Sequence, residues 1–393
     1  MTIREAEDFS IAVTHPAHKH LAMKVLVCAG GTGGGIYPAL AAVSGLHEQG
    51  ISTKDILWIG TKGEMEESLV PRAGLHLETI SGGAVVGVPL PTAIKNGTRL
   101  AWSIGTASRL IRRFRPDVMF MTGGYMAAPV SVACKLHGVP ICIYLPDVEP
   151  GSSIKFTLPM AQKIACTTAG SEAYVPVKKM VVTGYPVRPE IRAATNLSKA
   201  EALAHFDLQP GRPTLFVFGG SRGALNINRA LMAILPQLLT QAQIIHISGE
   251  LTWPEVDVEA QALAPELRQW YRPYPYLHAD MGAAFRAADL VLARSGASML
   301  GECPAFGLPS ILVPLAWAWR YQKINADFLT ERGAAVQLTD ESLPAEMLPT
   351  ISGLLENPQK LAHMAAAAKA LDMPTATNNL ARLISELGEE KTS

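Results

Sequence analysis

Lys24-Val25-Leu26-Val27-Cys28-Ala29-Gly30-Gly31-Thr32-Gly33-Gly34-Gly35 decides the fold: a short run that reads as a buried strand passes straight into a glycine turn, with a helical stretch beyond. Such a turn brings bare backbone N–H groups to a helix N-terminus, where phosphate binds. The same order returns at Thr214 to Phe218, followed by Gly219-Gly220-Ser221-Arg222-Gly223. One turn in each half predicts paired α/β domains with a phosphorylated ligand in the cleft between them.

Outward from these turns, short β-branched runs alternate with longer helical stretches, as parallel strands joined by crossover helices require. The first half offers strands at Lys24 to Ala29, Ile56 to Gly60, Asp117 to Thr122, Pro140 to Leu145 and Lys163 to Thr167. The second offers Thr214 to Phe218, Ile244 to Ser248, Leu290 to Ala293 and Ser310 to Val313. Thr183-Gly184-Tyr185-Pro186-Val187-Arg188-Pro189 cannot continue a helix and marks the linker. The expected division is a first domain over 23–186 and a second over 187–374. A final helix, about Ala376 to Glu389 within 375–393, packs back across the cleft. Residues 1–22, polar and carrying His15, His18 and His20, read as a disordered leader, because three histidines without a scaffold make no closed metal site.

Composition narrows the class. At 393 residues the chain is long for one core, given roughly 150 residues per domain. Charged residues are 17%, against roughly 25% in ordinary soluble domains, so some surface is apolar and meets something. Lys plus Arg and Asp plus Glu both number 34, which argues against a nucleic-acid partner. The five scattered cysteines form no Cys-x-x-Cys pair and fit a reducing cytoplasm. No apolar run approaches the roughly 18 residues of a membrane span, so any membrane contact is peripheral.

The individual motifs are weaker than their order. The first turn lacks the Gly-x-Gly-x-x-Gly register of a dinucleotide fold, and Ile36 stands where a P-loop lysine belongs. Gly219-x-Ser221-x-Gly223 matches the nucleophile elbow of serine hydrolases, with His246 or His278 near Asp280 as partners. A phosphate or hydroxyl ligand at a helix N-cap is the competing role for Ser221. Arg294-Ser295-Gly296-Ala297-Ser298-Met299-Leu300-Gly301-Glu302 follows a strand and opens a helix, which suits Glu302 to ribose hydroxyls and the helix start to a diphosphate. Trp317-Ala318-Trp319-Arg320-Tyr321-Gln322-Lys323-Ile324-Asn325 supplies amides suited to sugar hydroxyls.

In this order the motifs resemble the MurG glycosyltransferases, which move GlcNAc from UDP-GlcNAc to lipid I in peptidoglycan synthesis. The carriers are Gly30-Gly31-Thr32-Gly33-Gly34 with Pro38, Gly123-Gly124-Tyr125, Gly184-Tyr185-Pro186-Val187-Arg188, Gly219-Gly220-Ser221-Arg222-Gly223-Ala224 and Arg294-Ser295-Gly296-Ala297. The resemblance implies a GT-B fold: two Rossmann-like, doubly wound parallel-sheet domains facing a central cleft. It implies that Arg188 and Ser221 contact the diphosphate, Glu302 the ribose, Gln322 the GlcNAc hydroxyls and Leu277 the uracil. Ala297, Ser298, Met299, Leu300 and Gly301 would line the donor subsite, and Thr32, Gly33 and Gly34 the meeting point of donor and acceptor. UDP-GlcNAc, lipid I and the cytoplasmic membrane surface are the implied partners. A non-catalytic UDP-sugar binder and a transferase with another lipid acceptor are the rival readings beside the hydrolase.

Inverting displacement makes two demands. Charge growing on the leaving diphosphate needs cations or helix dipoles, which Arg188 and the helices near Ser221 and Ala297 supply without metal or cofactor. The attacking hydroxyl needs a base. Here the sequence departs from the family, because Gly35 stands where the glycine loop ends in histidine, and Tyr144-Leu145-Pro146-Asp147 replaces His-Glu-Gln-Asn. Asp147 and Glu149, on the loop after a parallel strand, are the candidate replacement bases. Val85-Val86-Gly87-Val88-Pro89-Leu90 with Lys95, Arg99, Arg109, Arg112, Arg113 and Arg115 suits an anionic membrane surface.

Overall fold

The structure is a computed structural model that describes residues 23–31, 33–81, 90–219, 224–277, 279–315 and 320–392. Residues 1–22, Thr32, the apolar stretch 85–89, Ser221, His278 and Trp317 to Trp319 lie outside the described residues.

The first sheet holds β1 (Val25–Cys28), β2 (Ile56–Thr61), β3 (His76–Ile80), β4 (Val118–Met121), β5 (Ile141–Leu145), β6 (Lys163–Cys166) and β7 (Met180–Val182). Its order is β3-β2-β1-β4-β5-β6-β7. The second holds β8 (Thr214–Phe218), β9 (Gln243–Ile247), β10 (Tyr271–Tyr274), β11 (Leu290–Ala293), β12 (Ser310–Leu312) and β13 (Ala335–Gln337), in the order β10-β9-β8-β11-β12-β13. All pairings are parallel. These are the two Rossmann-like layers of a GT-B fold.

All nine predicted strands are present, shifted or trimmed by a residue at most ends. The structure adds β3, β7, β10 and β13, and these are the four edges of the two sheets. The reason is burial. Central strands such as β1, β4, β5, β8 and β11 are buried at every position and so read as unbroken apolar runs. Edge strands are partly solvated, and His76-Leu77-Glu78-Thr79-Ile80 or Tyr271-Arg272-Pro273-Tyr274 carry polar residues and a proline that a central position would not accept.

The C-terminal helix Ala376–Thr392 lies on the first domain, against the helix Gly33–Glu48. Contact is close enough that a Cβ on Gly45 would lie 2.9 Å from Ala381 Cβ. Ser385 Oγ donates to Gln49 Oε1 at 2.6 Å, and Lys391 Nζ to Pro116 O at 2.8 Å. Leu380, Ala381, Ile384 and Leu387 complete the core on that face of the first sheet. Among the described residues no helix is long and apolar enough to cross a membrane.

Candidate functional site

In each sheet the chain winds one way from its first strand and then the other, with β1 between β2 and β4 and β8 between β9 and β11. Ligands of open α/β sheets bind at the carboxyl ends of the strands at this reversal. The first glycine turn leaves β1 there, and Gly123-Gly124 leaves β4 beside it. Gly124 has φ +95°, and a Cβ on it would lie 3.0 Å from Gly30 O, so two bare backbones stack at the switch point. In the second domain Gly219 follows β8, and Arg294-Ser295 follows β11.

Arg188 stands at the N-cap of the short helix Pro189–Ala193. Its guanidinium approaches Glu190 at 3.6 Å and Glu302 at 3.8 Å, and lies 4.6 Å from the Tyr37 ring centroid. Glu302, 5% exposed, begins the helix Glu302–Phe306. Burial raises its carboxyl above the ordinary range, with Arg188 and a Ser298 hydrogen bond acting against the shift. Tyr276 hydrogen-bonds Tyr37, and burial first, then Tyr37, push its phenol up to about 12. Tyr37 thus reaches from the first domain onto the guanidinium of the second. Leu277, next to Tyr276, is buried.

The run from Ala297 to Leu300 forms a single 3-10 turn. Met299 and Leu300 send their side chains into the core, so only their backbone is available to a ligand. Ser298 stays partly exposed. At Gly301 a Cβ would fall 2.5 Å from Tyr185 Cβ, so glycine there lets the 184–188 segment pack down and present Arg188.

The second focus is Asp147, on the loop after β5. Asn325, fully buried on the helix Arg320–Glu331 of the second domain, donates to Asp147 Oδ1 at 2.8 Å and to Ser295 O at 3.1 Å. Its Oδ1 accepts the Val148 N–H at 3.0 Å. Both N–H donors and the carbonyl of this amide are used, and only this orientation of it satisfies all three partners. One side chain therefore ties the first domain's 147–148 loop to the strand end of the second. Burial pushes the Asp147 carboxyl up from 3.8 to about 6, with the Asn325 hydrogen bond holding it lower than burial alone would. Glu149, only 1% exposed, is instead paired with Lys155 at 2.6 Å.

Gln322 lies one turn before Asn325. Its side-chain carbonyl accepts the Leu315 N–H at 3.1 Å, which leaves the amide N–H groups to donate. Gly33 is buried and Gly34 exposed at the start of their helix. At Gly35 a Cβ would press to 3.1 Å from Thr122 Oγ1, and that hydroxyl donates to Gly35 O at 2.8 Å. A side chain at position 35 would need Thr122 to give way.

His246 is excluded as a hydrolase partner. It is completely buried, with Nδ1 2.7 Å from Tyr271 Oη and Nε2 3.0 Å from Asn228 Oδ1, and burial lowers its pKa to about 3. Sequence reasoning overlooked Tyr37 and Tyr276 altogether, and gave Asn325 no role beyond sugar binding. Tyr37 had a signal: it sits four residues after Gly33, on the same helix face as the turn.

Two family models cover most of the chain: the glycosyltransferase family 28 N-terminal domain over residues 25–166 and its C-terminal domain over 214–380. The chain is 36% identical to the UDP-N-acetylglucosamine--N-acetylmuramyl-(pentapeptide) pyrophosphoryl-undecaprenol N-acetylglucosamine transferase of Roseiflexus sp., over 93% of this chain and 95% of that one. The enzyme of the same name from Desulfitobacterium hafniense (strain DSM 10664 / DCB-2) is also 36% identical, over 92% and 98%. Among solved structures, Acinetobacter baumannii MurG matches with a TM-score of 0.73 and 26% identity, over 93% of this chain and 99% of that one. Likeness of this degree over the full length, on the same two-domain crevice, places the chain in the family of MurG N-acetylglucosamine transferases within glycosyltransferase family 28.

Proposed function

We propose that this chain transfers GlcNAc from UDP-GlcNAc to the muramyl 4-hydroxyl of lipid I, with inversion, to make lipid II. The observation that carries this reading is the full-length likeness to transferases of that name, joined to contacts between the domains that set Arg188 of one against Tyr37 of the other and Asn325 of one against Asp147 of the other.

In the proposed reaction the second domain holds the donor. Glu302 accepts the ribose hydroxyls, Leu277 meets the uracil through its backbone, and Gln322 donates to the GlcNAc hydroxyls. The backbone of Ala297 to Gly301, Ser221 and Arg188 face the diphosphate. As the anomeric bond to UDP breaks, Arg188 takes up the charge growing on the leaving oxygen. Thr32, Gly33 and Gly34 line the acceptor side. Asp147 accepts the proton of the attacking hydroxyl, because a carboxyl with pKa about 6 is ionised at neutral pH yet basic enough to help. Glu149 is the weaker candidate, since its charge is already committed to Lys155. The boundary near 186–187 divides acceptor from donor functions in this scheme.

The chain is further proposed to work peripherally at the cytoplasmic membrane face. The helix Leu90–Phe114 supports this with Trp102, 82% exposed, and with Arg99, Arg109, Arg112 and Arg113 exposed around it. An exposed aromatic beside several arginines suits an anionic interface.

Release of UDP from UDP-GlcNAc, measured with and without a lipid I analogue in detergent, tests the activity. Acceptor-dependent release is the expected result. Donor binding without release would leave a UDP-sugar binder instead.

A further inference from the structure

Tyr144 stands first in the run that replaces His-Glu-Gln-Asn, and its phenol is completely buried on β5, in the core that the helices Gly33–Glu48 and Ala376–Thr392 share. Its Oη lies 2.7 Å from Thr167 Oγ1 and 3.3 Å from Gly184 O. Thr167, just past β6, sets the same hydroxyl oxygen 2.8 Å from Pro146 O and 3.1 Å from Leu145 O. Each hydroxyl has one proton to give. Leu145 O already accepts the Thr167 N–H at 3.2 Å, so the Thr167 proton goes to Pro146 O, its nearest carbonyl. The bond between the two hydroxyls is then donated by the phenol. The result is a relay: Tyr144 Oη donates to Thr167 Oγ1, and Thr167 Oγ1 donates to Pro146 O.

The relay ends on the peptide that joins Pro146 to Asp147. Proline has no N–H, so its carbonyl is the only backbone group through which that residue can be held. From the second domain, Asn325 holds the next two residues, at the Asp147 carboxylate and the Val148 N–H. The loop is thus fixed on one flank by the first domain and on the other by the second, and the direction of the Asp147 carboxylate depends on both. We propose that Tyr144 is a positioning residue for the transfer step: acting through Thr167, it fixes the Pro146–Asp147 peptide and so aims the Asp147 carboxylate at the attacking hydroxyl. The proposal rests on the reading of Asp147 as the base.

Tyr144→Phe keeps the ring in the core and removes only the hydroxyl. It should lower kcat by about ten- to a hundredfold, the scale on which small misplacements of a reacting group are felt. KM for UDP-GlcNAc should stay within about twofold, because the donor contacts come from the second domain. Thr167→Val breaks the same relay, so the double variant should lose no more than the deeper of the two single variants. Thr167→Ser keeps the hydroxyl and should hold kcat close to the native value. An unchanged kcat in Tyr144→Phe, losses that simply multiply in the double variant, or a Thr167→Ser as slow as Thr167→Val would overturn the inference. If Tyr144→Phe fails to fold, the two Thr167 variants decide alone. Hydrogen exchange supplies a readout that needs no turnover. The Val148 amide, held by Asn325, should exchange about tenfold faster in Thr167→Val than in the native chain, and equal exchange would likewise overturn the inference. Absence of acceptor-dependent UDP release in the native chain, or normal turnover in D147N, would instead sink the activity or the base, and Val148 exchange would still decide whether the relay holds the loop.

Discussion

Replacing Asp147 by Asn should make the protein more stable and nearly inactive at once. In the native chain this carboxyl is raised from 3.8 to about 6, chiefly by burial. Raising a carboxyl means that folding disfavours its ionised form. The folded state therefore binds more protons than the unfolded state between those two pH values, and stability falls as pH climbs from about 4 to about 6, then stays level. At about 1.4 kcal/mol for each tenfold change in proton affinity, the full gap amounts to about 3 kcal/mol. Partial exposure of Asp147 reduces this to on the order of 2 kcal/mol. Asn keeps the oxygen that accepts from Asn325 and removes the charge. For domains of this size that gain corresponds to roughly 5 °C in melting temperature. Scanning calorimetry of D147N against the native chain at pH 8 and pH 4 reads it, with the difference present at pH 8 and nearly absent at pH 4. Turnover, measured as acceptor-dependent UDP release, should fall by about two to four orders of magnitude, the range for loss of a general base. Equal melting temperatures at pH 8, or a larger gap at pH 4, would refute the burial argument. Unchanged turnover would refute the base.

Asn325→Ala removes the donor that holds the Asp147 carboxyl down, so the acid limb of the kcat profile should move above its native midpoint near pH 6. It also strands the Val148 N–H, which should cost about 1–3 kcal/mol in denaturant melts. Arg188→Ala should raise KM for UDP-GlcNAc by about ten- to a hundredfold, as loss of a charge-assisted contact predicts, with the acceptor KM little changed in steady-state assays. Changing Arg112 and Arg113 together to Glu should weaken sedimentation with anionic vesicles, and undiminished binding would count against the basic helix. Glu149→Gln should leave kcat within about a few fold, because its charge serves Lys155 rather than the cleft; a loss as deep as that of D147N would reverse the assignment.

The sequence by itself determined the two-sheet architecture and the order of its motifs. Strands buried on both faces must be apolar at every position, so β1, β4, β5, β8 and β11 could be read directly. The glycine turn after β1 was legible for a related reason, since the crowded backbone at Gly30 and the left-handed one at Gly31 restrict the residue type. Arg188, Glu302 and Gln322 stood out through the resemblance their neighbouring motifs carry. What the sequence could not yield is whatever depends on two distant segments meeting. Edge strands went unread because solvent relaxes their pattern. Asn325 and Asp147 lie 178 positions apart, and no local pattern tells that one amide fixes a carboxylate of the other domain. Glu66 carried no signal in the sequence, and only the fold buries its carboxyl in the space that Gly30 and Gly60 leave. Burial is the physical reason in each case. It sets the pKa of Asp147, confines Glu149 to Lys155 and turns His246 into a core residue, and burial exists only once the chain has folded.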